Sequence, residues 1–205
     1  LTSYFLFCFN LFSDRAQAMH PSLHVDVSEG EKVLYRAYVI TAVTQACAAI
    51  ESAAVDVLSH GRASFLGSNE PRNAADVQRL APVADLVERE GVLPRWARIH
   101  RLLGVEPLSG RRPAQDASLL VELRNELVHY QGRAEGRTKG ASLTVRLRQL
   151  RFALPAYLAG GGQMDFFPHQ ALVADCASWA VDTAARFIDA AFDRLGVRSV
   201  LDHFR

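Results

Sequence analysis

Residues 31–60, EKVLYRAYVITAVTQACAAIESAAVDVLSH, contain no glycine or proline, and the first breaker after them is Gly61. Val33, Leu34, Ala37, Tyr38, Ile40, Ala42, Val43, Ala46, Cys47, Ile50, Ala53, Ala54 and Val57 recur at the spacing that lines one face of an α-helix. That face is broad, so the helix is expected at the centre of a bundle. Ser28, Glu29 and Gly30 lead into it, with an acid where a helix N-terminus favours negative charge.

Working outward toward the C-terminus, residues 61–73, GRASFLGSNEPRN, read as a connection rich in glycine, proline and asparagine. Asn73 is placed to cap a helix over residues 74–90, in which Pro82 imposes a kink or a restart and which Gly91 ends. Pro94 suits the first turn of a short helix, RWARIHRLLG, whose Trp96, Ile99, Leu102 and Leu103 can face a core and which Gly104 closes. A loop follows over residues 104–113, where Arg111 and Arg112 either meet an anion or are simply solvated. The next helix is expected from Ala114 to Tyr130, with Gly132 as its stop and a stripe of Leu119, Leu120, Leu123, Leu127 and Val128.

Residues 131–142, QGRAEGRTKGAS, read as a flexible basic loop. Beyond them SLTVRLRQLRF alternates enough to suit a strand, but its helical surroundings favour a helix. AGGGQMDFFP, residues 159–168, is a second breaker, and a last long helix is expected from Pro168 to about Leu195, with Gly196 at its end. The chain of 205 residues therefore reads as all-α, a single-domain antiparallel bundle of about four to six helices over residues 31–205.

Composition supports an ordinary globular chain. Hydrophobic residues make up 49% and charged residues 22%, which is neither disordered nor fibrous. Lys and Arg total 23 against 22 Asp and Glu, so net charge points to neither a nucleic acid nor a membrane, and any electrostatic argument must be local. Cys8, Cys47 and Cys176 are odd in number and far apart, which suits a reducing cytoplasm better than a disulfide or zinc framework. The histidines have no metal-ligand spacing, so no metal or other cofactor is expected. The aromatic stretch LTSYFLFCFNLF lacks a preceding positive charge and is too short to span a bilayer. Residues 1–30 are therefore read as an extension set apart from the domain, residues 1–18 lying upstream of a start at Met19, and no membrane partner is expected.

Function has its best candidate in residues 119–132, LLVELRNELVHYQG. Asn125 and His129 lie four apart and share a helix face, with Arg124 one position around. An imidazole moves protons near neutral pH, and a guanidinium holds a phosphate bidentately, a pairing that suits phosphodiester cleavage without a metal. The same residues also have a structural reading. His129 then favours the helix C-terminus through the dipole, and Arg124 pairs with Glu122, Glu126 or a neighbouring helix.

The run Arg124-Asn125-Glu126-Leu127-Val128-His129 resembles the R-x4-H motif, with a polar residue directly after the arginine, of the HEPN superfamily of helical-bundle proteins. The long first helix, the glycine- and proline-containing loop before the motif, and a Trp-containing helix after FFP are similar too, over residues 31–195. The resemblance implies a homodimer in which two motif helices meet, and a metal-independent endoribonuclease of the toxin–antitoxin, phage-defence or RNA-processing kind. On it, His129 is the acid/base group that helps the ribose 2′-hydroxyl attack the adjacent phosphate. Arg124 binds the phosphate, and Asn125 orients one of these groups or the RNA. The products are then a 2′,3′-cyclic phosphate and a 5′-hydroxyl.

Arg133, Arg137 and Lys139 in the basic loop are the expected RNA-binding residues, since cations beside a cleft attract phosphates. One departure concerns members paired with a nucleotidyltransferase antitoxin, which carry a tyrosine two positions beyond the histidine. Here Tyr130 follows His129 directly, and Gln131 stands in that place. The family also contains non-catalytic members, so the other function expected is a dimer that binds a protein partner or a nucleotide.

Overall fold

The structure, a computed structural model, describes residues 2–24, 26–61, 71–129, 138–159 and 166–196. Among them there are helices and no strand, and the all-α bundle expected from the sequence is what is observed. In chain order the α-helices are α1 (Thr2–Met19), α2 (Glu29–His60), α3 (Pro71–Leu80), α4 (Ala84–Glu88), α5 (Val92–Leu102), α6 (Ala114–Val128), α7 (Thr138–Gln149), α8 (Ala156–Ala159) and α9 (Ala174–Leu195). The chain divides into two compact units. The first comprises Leu1–Tyr4, Ala48–Ser118 and Thr183–Arg205, and the second comprises Phe5–Cys47 and Leu119–Asp182.

Local chemistry sets the helix ends. The α2 N-terminus is a capping box: Ser28 Oγ accepts from the Glu31 N–H at 3.3 Å, and Glu31 Oε2 accepts from the Ser28 N–H at 3.1 Å. These bonds from Ser28 hold the Glu31 carboxyl below its ordinary value. Pro82 divides the helix expected over residues 74–90 into α3, a 3-10 turn at Ala81–Val83, and α4. Gly104 and Gly196, with φ of 76° and 70°, follow the ends of α5 and α9 in the left-handed conformation that glycine adopts without a Cβ clash.

In the first unit the core is aromatic. Trp96 is 1% exposed, and its ring meets Phe187 and Phe192 edge-on at 6.1 and 5.9 Å between centroids. Its indole N–H donates to the Ile50 carbonyl at 3.0 Å, so burying the polar tip leaves no donor unpaired. His100, fully buried one turn further along α5, lies 5.7 Å from the Trp96 ring and donates from Nε2 to the Ala191 carbonyl at 3.1 Å. Thr2 at the start of α1 donates to Asp56 Oδ2 at 2.5 Å and lies 3.0 Å from Ser52 Oγ.

The second unit is tied by polar bonds around α9. The buried Tyr35 hydroxyl accepts from the Ala174 N–H at 2.6 Å, which leaves its own hydrogen for His20 Nδ1 at 3.0 Å. Burial is the main cause that drives the Tyr35 phenol upward. Asp175 accepts from the Ala153 N–H at 2.8 Å, and Ser178 receives Gln17 Nε2 at 2.8 Å with Ser13 Oγ at 3.3 Å. Leu6, Phe9 and Ala16 of α1 are buried, so the segment that the sequence sets apart at residues 1–30 contributes to the packing.

Three readings change. Val33 and Leu34, taken as core, are 66% and 46% exposed, while Tyr35 between their helical neighbours is fully buried with its hydroxyl satisfied. Residues 138–142, taken as part of a loop, open α7. The last long helix begins at Ala174 rather than Pro168, and Phe166–Gln170 form a separate wide turn. Cys47 and Cys176 are buried, and burial pushes the Cys176 thiol up to about 12. α2 is long and apolar enough to cross a membrane, with a mean hydropathy of 1.4 over its most apolar stretch, and 44% of that stretch is buried inside the protein.

Candidate functional site

The candidate site is the end of α6. Leu119, Leu120 and Leu123 are 6%, 0% and 0% exposed and anchor the helix from its apolar side. The Leu120 carbonyl accepts from the buried Cys47 thiol of α2 at 3.7 Å. Leu127, expected in the same stripe, is half-buried, and Val128 is 60% exposed. The apolar stripe therefore fades over the last turn, where the polar motif begins.

The motif residues lie in that last turn. Asn125 and His129 are both exposed, and the His129 N–H donates to the Asn125 carbonyl at 3.0 Å, so helical register carries one residue past Val128. The two side chains accordingly stack on one face, as their spacing requires. Arg124 is half-buried and makes interactions of its own. At 3.6 residues per turn it stands about 140° around the axis from His129 and about 7.5 Å along it. Asn125 and His129 thus share a face, while the Arg124 position lies on another; backbone register by itself does not aim all three groups at one phosphate.

A neighbour that sequence reasoning did not connect to the motif is Arg146 on α7, whose guanidinium bonds the Glu122 carboxylate of α6. One of the acids considered for Arg124 is thereby engaged by another base. Arg148 stands over the Phe166 ring at 4.9 Å. The signal for α7 was the run of Arg146, Arg148 and Arg151, which marked a positive segment without saying which helix it serves. Lys139 lies in the first turn of α7, and Arg133 and Arg137 fall outside the described residues, as do Tyr130 and Gln131. Among the described residues no three His, Cys, Asp or Glu side chains are grouped as they would be to hold a metal ion.

Chemically, the arrangement offers a solvent-accessible imidazole with an amide beside it, an arginine on the flank, and an exposed valine between them. An imidazole in that position can accept or donate a proton to an arriving ligand, and the amide can orient it. No protein-family model matches the chain, and no curated protein or solved structure is detectably similar to it.

Proposed function

We propose that this protein is a metal-independent endoribonuclease that works as a homodimer, with the ends of two α6 helices meeting to build one composite cleft. The reading is carried by one observation: Asn125 and His129 are exposed together on one face of α6, beside an apolar Val128 that is 60% exposed. An exposed valine within a polar functional face gains from being covered, and a second copy of the same helix end would cover it. The same pairing answers the register. Arg124, about 140° from His129 on its own helix, can serve a phosphate held by the partner's imidazole.

In this site His129 takes the proton of the ribose 2′-hydroxyl as that oxygen attacks the adjacent phosphorus, and a histidine returns a proton to the departing 5′-oxygen. Arg124 neutralises the charge that grows on the phosphoryl oxygens, and Asn125 orients the scissile group. Arg133, Arg137 and Lys139 supply a salt-dependent attraction for the RNA backbone. The protein acts in the cytoplasm, in a toxin–antitoxin or phage-defence setting with its own antitoxin or other protein partner, and needs no cofactor.

Purified protein should cut single-stranded RNA in EDTA, leaving 2′,3′-cyclic phosphate and 5′-hydroxyl ends. His129→Ala and Arg124→Ala should each abolish cutting while the chain stays folded and dimeric. Equal cutting by the wild type and both variants, or a monomer that cuts, would sink the proposal. The half-burial of Arg124 and its existing interactions favour a second reading, a non-catalytic dimer that binds a protein partner or a nucleotide. That reading predicts a stable copurifying partner or ligand with no RNA cleavage.

A further inference from the structure

The loop between α5 and α6 and the last turn of α9 enclose a cavity of about 360 Å³ within the first unit. It is lined by three arginines, Arg111, Arg112 and Arg194, and one acid, Glu106, together with Ser109 and the apolar Pro107 and Leu108. Arg112 reaches Asp116 with Nε at 3.5 Å, longer than the roughly 2.7–2.9 Å of a strong charge-assisted bond. Arg111 and Arg194 are exposed and make no ion pair with a described residue. The loop is held in place from below: Gln115 Nε2 donates to the Gly110 carbonyl at 2.8 Å, and the Gln115 N–H donates to the Arg111 carbonyl at 3.2 Å. Bringing three like charges to one concavity is unfavourable in isolation, and an anion seated among them reverses the sign.

We propose that this cavity is a binding site for a small phosphate monoester that also carries hydroxyl groups, the chemistry shared by nucleoside monophosphates and sugar phosphates. Two guanidinium forks match the oxygens of a dianionic phosphate, whereas a monocarboxylate would occupy only one of them. Glu106 and Ser109 accept from and donate to the ligand hydroxyls, and Leu108 covers its apolar side. The cavity is at the small end of the roughly 300–1,000 Å³ that ligand pockets occupy, which suits a small molecule rather than a polymer. The site uses no residue of the α6 motif and stands whether or not the chain cuts RNA.

Calorimetric titration of the full chain with AMP, ribose 5-phosphate and adenosine tests it. At least one of the two phosphates should saturate and weaken with added salt, and adenosine should not bind. Arg111→Gln and Arg194→Gln should each weaken phosphate binding by about tenfold or more, with Arg194→Lys falling between, since lysine keeps the charge and loses the fork. AMP binding without ribose 5-phosphate binding, or the reverse, identifies which of the two sources the cavity selects. His129→Ala should bind as the wild type does. The proposal is overturned if neither phosphate saturates by millimolar concentrations, if adenosine binds as well as AMP, or if a 5′-hydroxyl RNA oligomer displaces AMP. It is also overturned if affinity is unchanged in the variants that melt like the wild type; should one variant fail to fold, the other decides.

Discussion

Two histidines occupy comparable places in sequence and contrasting surroundings, one buried and one exposed. His100 lies in the last turn of α5 and His129 just past the last turn of α6, each in a run of leucine, isoleucine or valine with an arginine nearby. In the first unit His100 is wholly buried against Trp96, with its Nε2–H donating to the Ala191 carbonyl and Nδ1 without a partner among the described residues. In the second unit His129 is exposed at the end of α6. The lesson is that a histidine at a helix end carries no function by its spacing. The first has been drawn into a core as a neutral donor, and burial lowers its tendency to take a proton. The second remains available for chemistry because the leucine stripe beneath it runs out one turn earlier.

The largest effect expected from testing that contrast is on the core that holds His100. Trp96→Ala should cost about 3–5 kcal/mol in urea unfolding, because it opens a cavity and removes the indole bond to the Ile50 carbonyl. A loss below about 1 kcal/mol would show that the first unit is centred elsewhere. Next, His100→Ala should cost about 2–4 kcal/mol by removing buried volume and the donor to Ala191.

The same histidine gives a pH signature. Its folded pKa is depressed below the ordinary value of about 6.5, so the unfolded chain binds the proton first. Stability is therefore complete above about pH 6.5 and is lost as pH falls toward the depressed folded value. His100→Gln should reduce the difference in melting temperature between pH 7 and pH 5, and an unchanged difference would assign the acid sensitivity to other groups.

A smaller effect belongs to the second unit. Tyr35→Phe leaves the buried Ala174 N–H without its acceptor and should cost about 1–3 kcal/mol. The smallest stability effect is expected at the other histidine: His129→Ala should stay within about 0.5 kcal/mol of wild type, while RNA cleavage falls at least about a hundredfold. If His129→Ala proved as destabilising as His100→Ala, the two histidines would be alike after all, and the motif would be structural.

Helix positions were legible along most of the chain because the signals are local. The Pro82 division, the stops at Gly104 and Gly196 and the unbroken residues 31–60 each follow from a few neighbouring side chains. Where reading failed, the deciding partner was remote. Val33 and Leu34 satisfy the helical spacing, yet it is Tyr35 that is buried, because Ala174 and His20 bond its hydroxyl from far along the chain. Arg111 and Arg112 read as loop bases, and nothing in that loop announces Arg194 on the same cavity. Glu122 and Arg146 form a pair between α6 and α7 that no helix periodicity encodes.

The sequence by itself determined that the protein is helical, where its breakers fall, and which six-residue run gathers an arginine, an asparagine and a histidine. Backbone geometry and hydrophobic spacing act over one or two turns, and that is the range a local pattern can express. Tertiary structure alone decided that His100 is buried and His129 exposed, that α6 ends in an uncovered valine, and that three arginines share a cavity. Exposure and convergence depend on which distant segments cover a side chain, and packing, not spacing, sets that.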